Sequence, residues 1–387
     1  MVAEWYRRNL RILTALPSTT RARIGPFAIM ACLTLFAGPL SGQTIPTHVD
    51  AVRDVLRDRE EEGMNGVLLI RAGNRELLHE AYGMLDIEAG RVMTIDAGFD
   101  IGSLVKPITA VTVLRLEELG LISTRDRLAT FFPQAPPDKA DITVWQLLTH
   151  TAGLPDIFGG DYEVVSRDWV LEQALTADLL GPPGFEERYS NAGYSLLAMI
   201  VEDVTGVPFE EFVRTEVLLP AETPELGYVL AGWSNDRLAV GYRRGTRWGT
   251  PLDHPWADDG PGWNLRGNGG MLGTADAMAR WYEALFDGQI LGAEALDNYY
   301  DSSAGIIENG LDGNWFDAGE SGSVGGMTLG HAGGNGIFNT LQISWIDHDV
   351  HLTFFTSVSQ PLNAESVWED IRDDVIAIAR LTAGNGQ

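Results

Sequence analysis

Residues 99–107 read Phe99-Asp100-Ile101-Gly102-Ser103-Leu104-Val105-Lys106-Pro107, and they set a serine and a lysine three positions apart just ahead of an apolar run, Val111 to Leu119. Positions i and i+3 share one face of a helix, so the hydroxyl and the amine can meet. Pro107 fixes where that helix can begin, because proline is tolerated in a first turn and disrupts an interior one. Ser103 is therefore expected at a helix start, where the helix dipole and unpartnered N–H groups face any oxyanion formed on a substrate. A free serine is a poor nucleophile, and a lysine buried beside it can have its pKa lowered far enough to act as its base. Ser-x-x-Lys also arises by accident on helix surfaces, so its meaning depends on what surrounds it.

Upstream, Gly66 to Gly83 (GVLLIRAGNRELLHEAYG) reads as two strands turning at Gly73-Asn74, preceded by an amphipathic helix from Thr47 to Glu62 with a threonine cap. Downstream, Thr143 to Leu148 and Val164 to Leu175 read as helices, and Tyr194 to Thr205 as a strongly apolar helix ending at Gly206. Residues 228–270 are rich in Gly, Pro and Trp and read as long loops. Strands return at Thr340 to Ile346 and His351 to Val358, turning at Asp347-His348-Asp349, and Ala364 to Leu381 closes as a helix. Strands at both ends with helices between them predict an α+β fold: one antiparallel sheet built from distant parts of the chain, flanked by helices, with an inserted mostly helical lobe. The sheet part would comprise about 43–125 and 265–387, and the lobe about 126–264.

The composition suits such a domain, with 387 residues, 45% hydrophobic. Twenty-seven basic against 54 acidic residues give a net charge of −27, which would repel phosphate backbones and excludes nucleic acid as the expected partner. Lys106 and Lys139 are the only lysines. No His-Glu-x-x-His and no Gly-x-Ser-x-Gly occurs, the nearest miss to the latter being Gly319-Glu320-Ser321-Gly322-Ser323, so a zinc protease and a nucleophile elbow are both disfavoured. His348 and His351 form a His-x-x-His that reads as a hairpin turn, not a metal site, and neither a metal nor another cofactor is expected.

Residues 1–42 read as a secretory signal peptide: Arg21 and Arg23 precede an apolar stretch, Ile24 to Leu40, followed by the small residues Ser41 and Gly42. The mature protein would be periplasmic or secreted, without stable membrane insertion, and would begin near Gln43. Cys32 lies inside the segment, where Ile29-Met30-Ala31-Cys32 loosely matches a lipoprotein box, the alternative being a lipid anchor. A chain cut after Gly42 has no cysteine, so thiol nucleophiles and disulfides are excluded.

Two further patterns support Ser103. Tyr189-Ser190-Asn191 is the only Tyr-x-Asn and stands at the mouth of the Tyr194 helix. A phenol can exchange protons with a nucleophile or leaving group, and Asn191 can bond a substrate amide. His331-Ala332-Gly333 is the only His-x-Gly and introduces the C-terminal strand pair, where Gly333 and Gly334 would let a substrate approach the backbone. Taken singly, Tyr189 reads first as a half-buried core tyrosine and His331 as a strand-end turn histidine.

In this order the motifs resemble those of the penicillin-recognising serine hydrolases of the class C β-lactamase group, which includes esterases, D,D-peptidases and D-aminopeptidases. The resemblance covers nearly the whole chain after residue 42 and extends to Leu147 to Pro155 (LLTHTAGLP), Tyr189 to Gly206 and Gly269 to Asp276. It implies a β-lactamase/transpeptidase-like fold with Ser103 as acylated nucleophile, Lys106 and Tyr189 as proton-transfer partners and Asn191 positioning the substrate. It places the oxyanion on the backbone N–H groups of Ser103 and Gly334, and leaves His150 structural. Where β-lactamases of the group carry Lys-Thr-Gly, this chain has His331-Ala332-Gly333, losing a permanent charge and a hydroxyl. The expected enzyme therefore cleaves small neutral esters or amides, including D-amino-acid types, with tryptophans 233, 248, 256 and 263 forming an apolar wall. The alternatives are a β-lactamase or D,D-carboxypeptidase, and a non-catalytic binder of peptidoglycan ligands.

Overall fold

The two ends of the chain build one sheet. In the computed structural model, which describes residues 44–254, 259–308, 327–358 and 363–384, Gly73-Asn74 turns β1 (Gly66–Ala72) back into β2 (Arg75–Tyr82). Near the other end, β3 (Thr328–Gly334), β4 (Asn339–Trp345) and β5 (Val350–Thr356) form an antiparallel meander. Gly66 pairs with Thr356, giving the order β2-β1-β5-β4-β3. The meander turns through Ile346–His348 and Asp349, which has φ 51°. This is the antiparallel α+β arrangement expected from the sequence.

The longer helices are α1 (Ile45–Glu61), α2 (Val105–Glu118), α3 (Arg167–Thr176), α4 (Asn191–Thr205), α5 (Ala275–Phe286), α6 (Ala293–Glu308) and α7 (Ala364–Gly384), of which α1, α5, α6 and α7 pack on the sheet. A strand presents alternate residues to opposite faces. One face of the sheet carries Leu68, Ile70, Leu341, Ile343, Leu352 and Phe354, which pack against Val52 and Leu56 of α1 and Val367, Ile371 and Val375 of α7. The other face, over which α5 lies, carries Arg71, Gln342, Ser344, His351 and Thr353. Beyond it, α2 is buried along both sides from Val105 to Leu114, Lys106, Thr109 and Thr112 included. α4 packs against it and against the short helix Val144–Leu148.

Several boundaries differ from the sequence reading. Thr44, not Thr47, caps α1, because Pro46 fits the first turn and Thr47 sits at its third position facing Thr44. α2 reaches back to Val105, behind a 3-10 turn at Gly102–Leu104, and α4 back to Asn191 behind the cap Ser190. The 228–270 segment is mostly loop but contains a hairpin, Gly241–Arg243 with Thr246–Gly249. His331 does not introduce the strand pair; it lies within β3, whose glycine-rich sequence has little strand propensity and is held by pairing with β4.

Candidate active site

Phe99–Asp100 pairs with Leu272–Gly273 and delivers the chain to Gly102, which has φ 53°. Only glycine adopts that conformation without strain, and space demands it too, since a Cβ at Gly102 would stand 2.6 Å from the Gly334 nitrogen. A Cβ at Gly333 would meet the Ile101 carbonyl at 2.4 Å and the Ser103 nitrogen at 2.8 Å. The Thr340 hydroxyl donates to the same Ile101 carbonyl at 2.9 Å. The turn bearing Ser103 is thus pressed against β3 and β4.

From the first turn of α2, Lys106 Nζ donates to Ser103 Oγ at 3.0 Å and to the Asn268 carbonyl at 2.8 Å. The Asn268 side chain anchors its own loop by donating to Ser195 and to the Asn264 carbonyl. Tyr189 Oη donates to the same Ser103 Oγ at 2.8 Å, and Lys106 Nζ lies 4.7 Å from the Tyr189 ring centre. Ser103, Lys106 and Tyr189, distant in sequence, therefore converge on one oxygen.

Burial governs their charges. Lys106 is 1% exposed, and desolvation lowers its pKa to about 7 against the opposing pull of Asp156 and Asp161. Burial pushes the Tyr189 phenol up, the bond to Ser103 working the other way. His331 is 7% exposed, and burial followed by the nearby Lys106 lowers it to about 3. It is a neutral imidazole at physiological pH.

Ser103 opens into a small cleft lined by Asp100, Asp161, Asn191, Leu265, Gly334, Asn335 and residues 268–270. Asn191 lines it, with its side-chain amide donating to Asp156 at 2.8 Å. Gly334 also lines it, whereas the close approach that Gly333 permits is to the Ser103 turn. His331 is not part of the lining. Nor are the described tryptophans: Trp233 bonds the Glu225 carbonyl, Trp263 packs among Arg167 and Arg266, and Trp248 stacks on His254 at 3.6 Å. Leu265 is the apolar wall instead, and Trp256 lies outside the described residues, as do residues 1–42 with Cys32. His351 bonds Ser344 and Asp349 beside the β4–β5 turn that holds His348. Among the described residues no cluster of His, Cys, Asp or Glu could hold a metal ion, and no helix is long and apolar enough to cross a membrane.

One cluster was not foreseen. Asp100, 2% exposed, accepts from Gly102 N at 2.8 Å, Tyr162 Oη at 2.8 Å and Asn335 Nδ2 at 3.0 Å. Burial pushes its carboxyl up to about 6 against these bonds. Its members come from three remote segments, and only Asp100, two residues before Gly102, stood in the stretch that the sequence singles out.

A family model described as Beta-lactamase matches residues 52–375. The chain belongs to the beta-lactamase family. Within it, the chain is 32% identical over 294 residues to esterase EstB of Burkholderia gladioli, covering 66% of this chain and 74% of that protein. It is 25% identical over 341 residues to a penicillin-binding protein of Bacillus subtilis (strain 168), covering 82% and 73%. Among solved structures, the hydrolase EstCE1 superposes with a TM-score of 0.70 at 22% identity, over 86% of this chain and 99% of that one. A class C beta lactamase from Rhodobacter sphaeroides gives 0.66 at 18%, over 85% and 99%. These structures share the fold.

Proposed function

We propose that this member of the beta-lactamase family is an exported serine hydrolase that cleaves neutral esters or amides through an acyl-enzyme on Ser103. The observation that carries the reading is the placement of Ser103 Oγ between Lys106 Nζ at 3.0 Å and Tyr189 Oη at 2.8 Å. With its pKa near 7, Lys106 is neutral often enough to take the serine proton as Oγ bonds to the substrate carbonyl carbon. The carbonyl oxygen becomes an oxyanion, held by the N–H groups of Ser103 and Gly334. As the bond to the leaving group breaks, Tyr189 gives its proton to that group, and the ammonium of Lys106 restores it. Water then attacks the acyl carbon and yields a proton to Lys106, which passes it to Ser103 Oγ as the acyl–Oγ bond breaks and the acid is released.

The charge around the cleft supports an uncharged substrate. Asp100 and Asp161 line it with no lysine or arginine among the described lining residues, and His331, where lactamases of the group carry lysine, is neutral and stands outside that lining. The esterase among the relatives is consistent with this choice. Export rests on the Arg-flanked apolar stretch of residues 21–40.

The test is intact-mass analysis after a fluorophosphonate and then after a panel of p-nitrophenyl butyrate, D-amino-acid amides and penicillins. A single adduct on wild type that vanishes in Ser103→Ala, with esters turned over faster than penicillins, is expected. Undiminished ester hydrolysis by Ser103→Ala would sink the proposal. N-terminal sequencing of exported protein should begin near Gln43, and a retained Met1 or modified Cys32 would overturn the export site.

A further inference from the structure

We infer that His150 is a positioning residue that holds Tyr189 in register with Ser103. The inference rests on the proposed role of Tyr189 and adds a residue to it. Three contacts from His150 grip three consecutive residues. Its carbonyl accepts from Arg188 N at 2.7 Å, and its Nδ1 accepts from Ser190 N at 3.1 Å. Between them, its ring lies 4.7 Å centre to centre from that of Tyr189, tilted by 35°, and 5.0 Å from that of Tyr194. The backbone on both sides of the phenol and the phenol ring itself are thus fixed by one side chain and its own carbonyl.

The grip is set up at a cost. His150 has φ 55°, in the left-handed region that non-glycine residues rarely occupy. It is 1% exposed, and its Nε2 is buried without a hydrogen-bond partner. Because Nδ1 accepts the Ser190 N–H, the neutral ring must carry its proton on Nε2. Burial, and after it the nearby Lys106, push its pKa well below the usual value, so the acceptor at Nδ1 is not lost to protonation at working pH. Strain and an unpartnered donor at a residue touching the Tyr-x-Asn segment are accounted for if the geometry serves Tyr189. A packing residue alone would need neither.

The measurement is steady-state hydrolysis of p-nitrophenyl butyrate by full-length variants, with thermal melts alongside. His150→Ala should lower kcat by about 100-fold with KM nearly unchanged, the scale on which a small misplacement near the reacting atoms acts. His150→Asn, whose Oδ1 can replace Nδ1 and whose backbone tolerates positive φ, should recover most of that loss. His150→Gly relieves the backbone but removes the acceptor and ring, and should stay as slow as His150→Ala. Should His150→Ala fail to fold, the Asn and Gly variants carry the same comparison. The decisive step is a double-mutant cycle: once Tyr189→Phe has been made, adding His150→Asn or His150→Gly should cost nothing further. A double variant whose losses multiply, or a His150→Gly enzyme at the wild-type rate, overturns the inference while leaving Tyr189 in place. Tyr189→Phe at the wild-type rate overturns the role of Tyr189, and the inference with it.

Discussion

The two faces of the five-stranded sheet are made from alternate residues of the same strands, yet they are built from different chemistry. Towards α1 and α7, Leu68, Ile70, Leu341, Ile343, Leu352 and Phe354 form a core of hydrocarbon. Towards α5 and the Ser103 turn, Val67 and Phe355 are accompanied by buried polar groups that bond one another: Thr353 to Gln342, Gln342 to Ser344, Ser344 to His351, and Thr340 to Ile101. Arg71 on that face reaches Asp276 and Glu283 of α5. Non-directional burial suffices for holding a helix, whereas hydrogen bonds fix position and direction. The difference teaches that stability and placement of the reactive groups are separable, one residue apart along each strand.

The largest test of that separation is Lys106→Met. It should remove about four orders of magnitude in kcat/KM, as loss of a member of a catalytic unit does. It should also raise stability at pH 7 by about 1–2 kcal/mol, since a buried amine gives way to a buried thioether. The native amine has its pKa lowered to about 7, below the value of 10.5 expected of an unfolded chain. Between those values only the unfolded chain gains the proton, so the gain from Lys106→Met should shrink as the pH of the melt is raised towards 10.5. A melt unchanged at pH 7 would show that the amine is not the costly group.

On the apolar face the outcome should reverse. Leu352→Ala should cost about 2–5 kcal/mol in chemical denaturation, with kcat/KM of the folded enzyme unchanged. A matching fall in turnover would mean that the faces are coupled.

The pH profile sharpens the polar side. On the proposed mechanism Lys106 accepts the serine proton only when neutral, so kcat/KM should rise with pH and level off above about 7. Asp161 raises the Lys106 pKa, so Asp161→Asn should move that limb to lower pH. A limb that stays in place would remove Lys106 as the titrating base.

The smallest effect concerns His331→Lys. It should favour acylation by a penicillin over a short-chain ester, but by less than about tenfold, one pKa-sized step of interaction energy. The position is buried close to Lys106, where a second ammonium is disfavoured, and does not line the cleft. An unchanged preference would exclude residue 331 as the discriminator.

Much of this was legible because local chemistry and tertiary role coincide. Gly73-Asn74 makes a hairpin wherever it falls between strands, and Ser103, Lys106 and Pro107 define a helix start unaided. β3 was not legible, because Thr-Leu-Gly-His-Ala-Gly-Gly is a strand only through pairing with β4, and its glycines answer to the Ser103 turn. The Asp100, Tyr162 and Asn335 cluster was hidden for a related reason: no segment carries more than one member. The tryptophan-rich loop misled in the opposite sense, since Trp233 and Trp263 are conspicuous in sequence but spent on packing.

The contact of the Thr340 hydroxyl with the Ile101 carbonyl also has a consequence in time. The Ser103 turn is supported by strands that the ribosome makes long after it, and β1 finds its central neighbour only when Thr356 has appeared opposite Gly66. Closing so long a loop delays such pairings. During synthesis the hydroxyl of Ser103 therefore travels on a chain that cannot yet orient it. A chain truncated before β4 should be catalytically silent even where α2 and α4 have formed, so that the nascent protein is kept from premature acylation by its own topology.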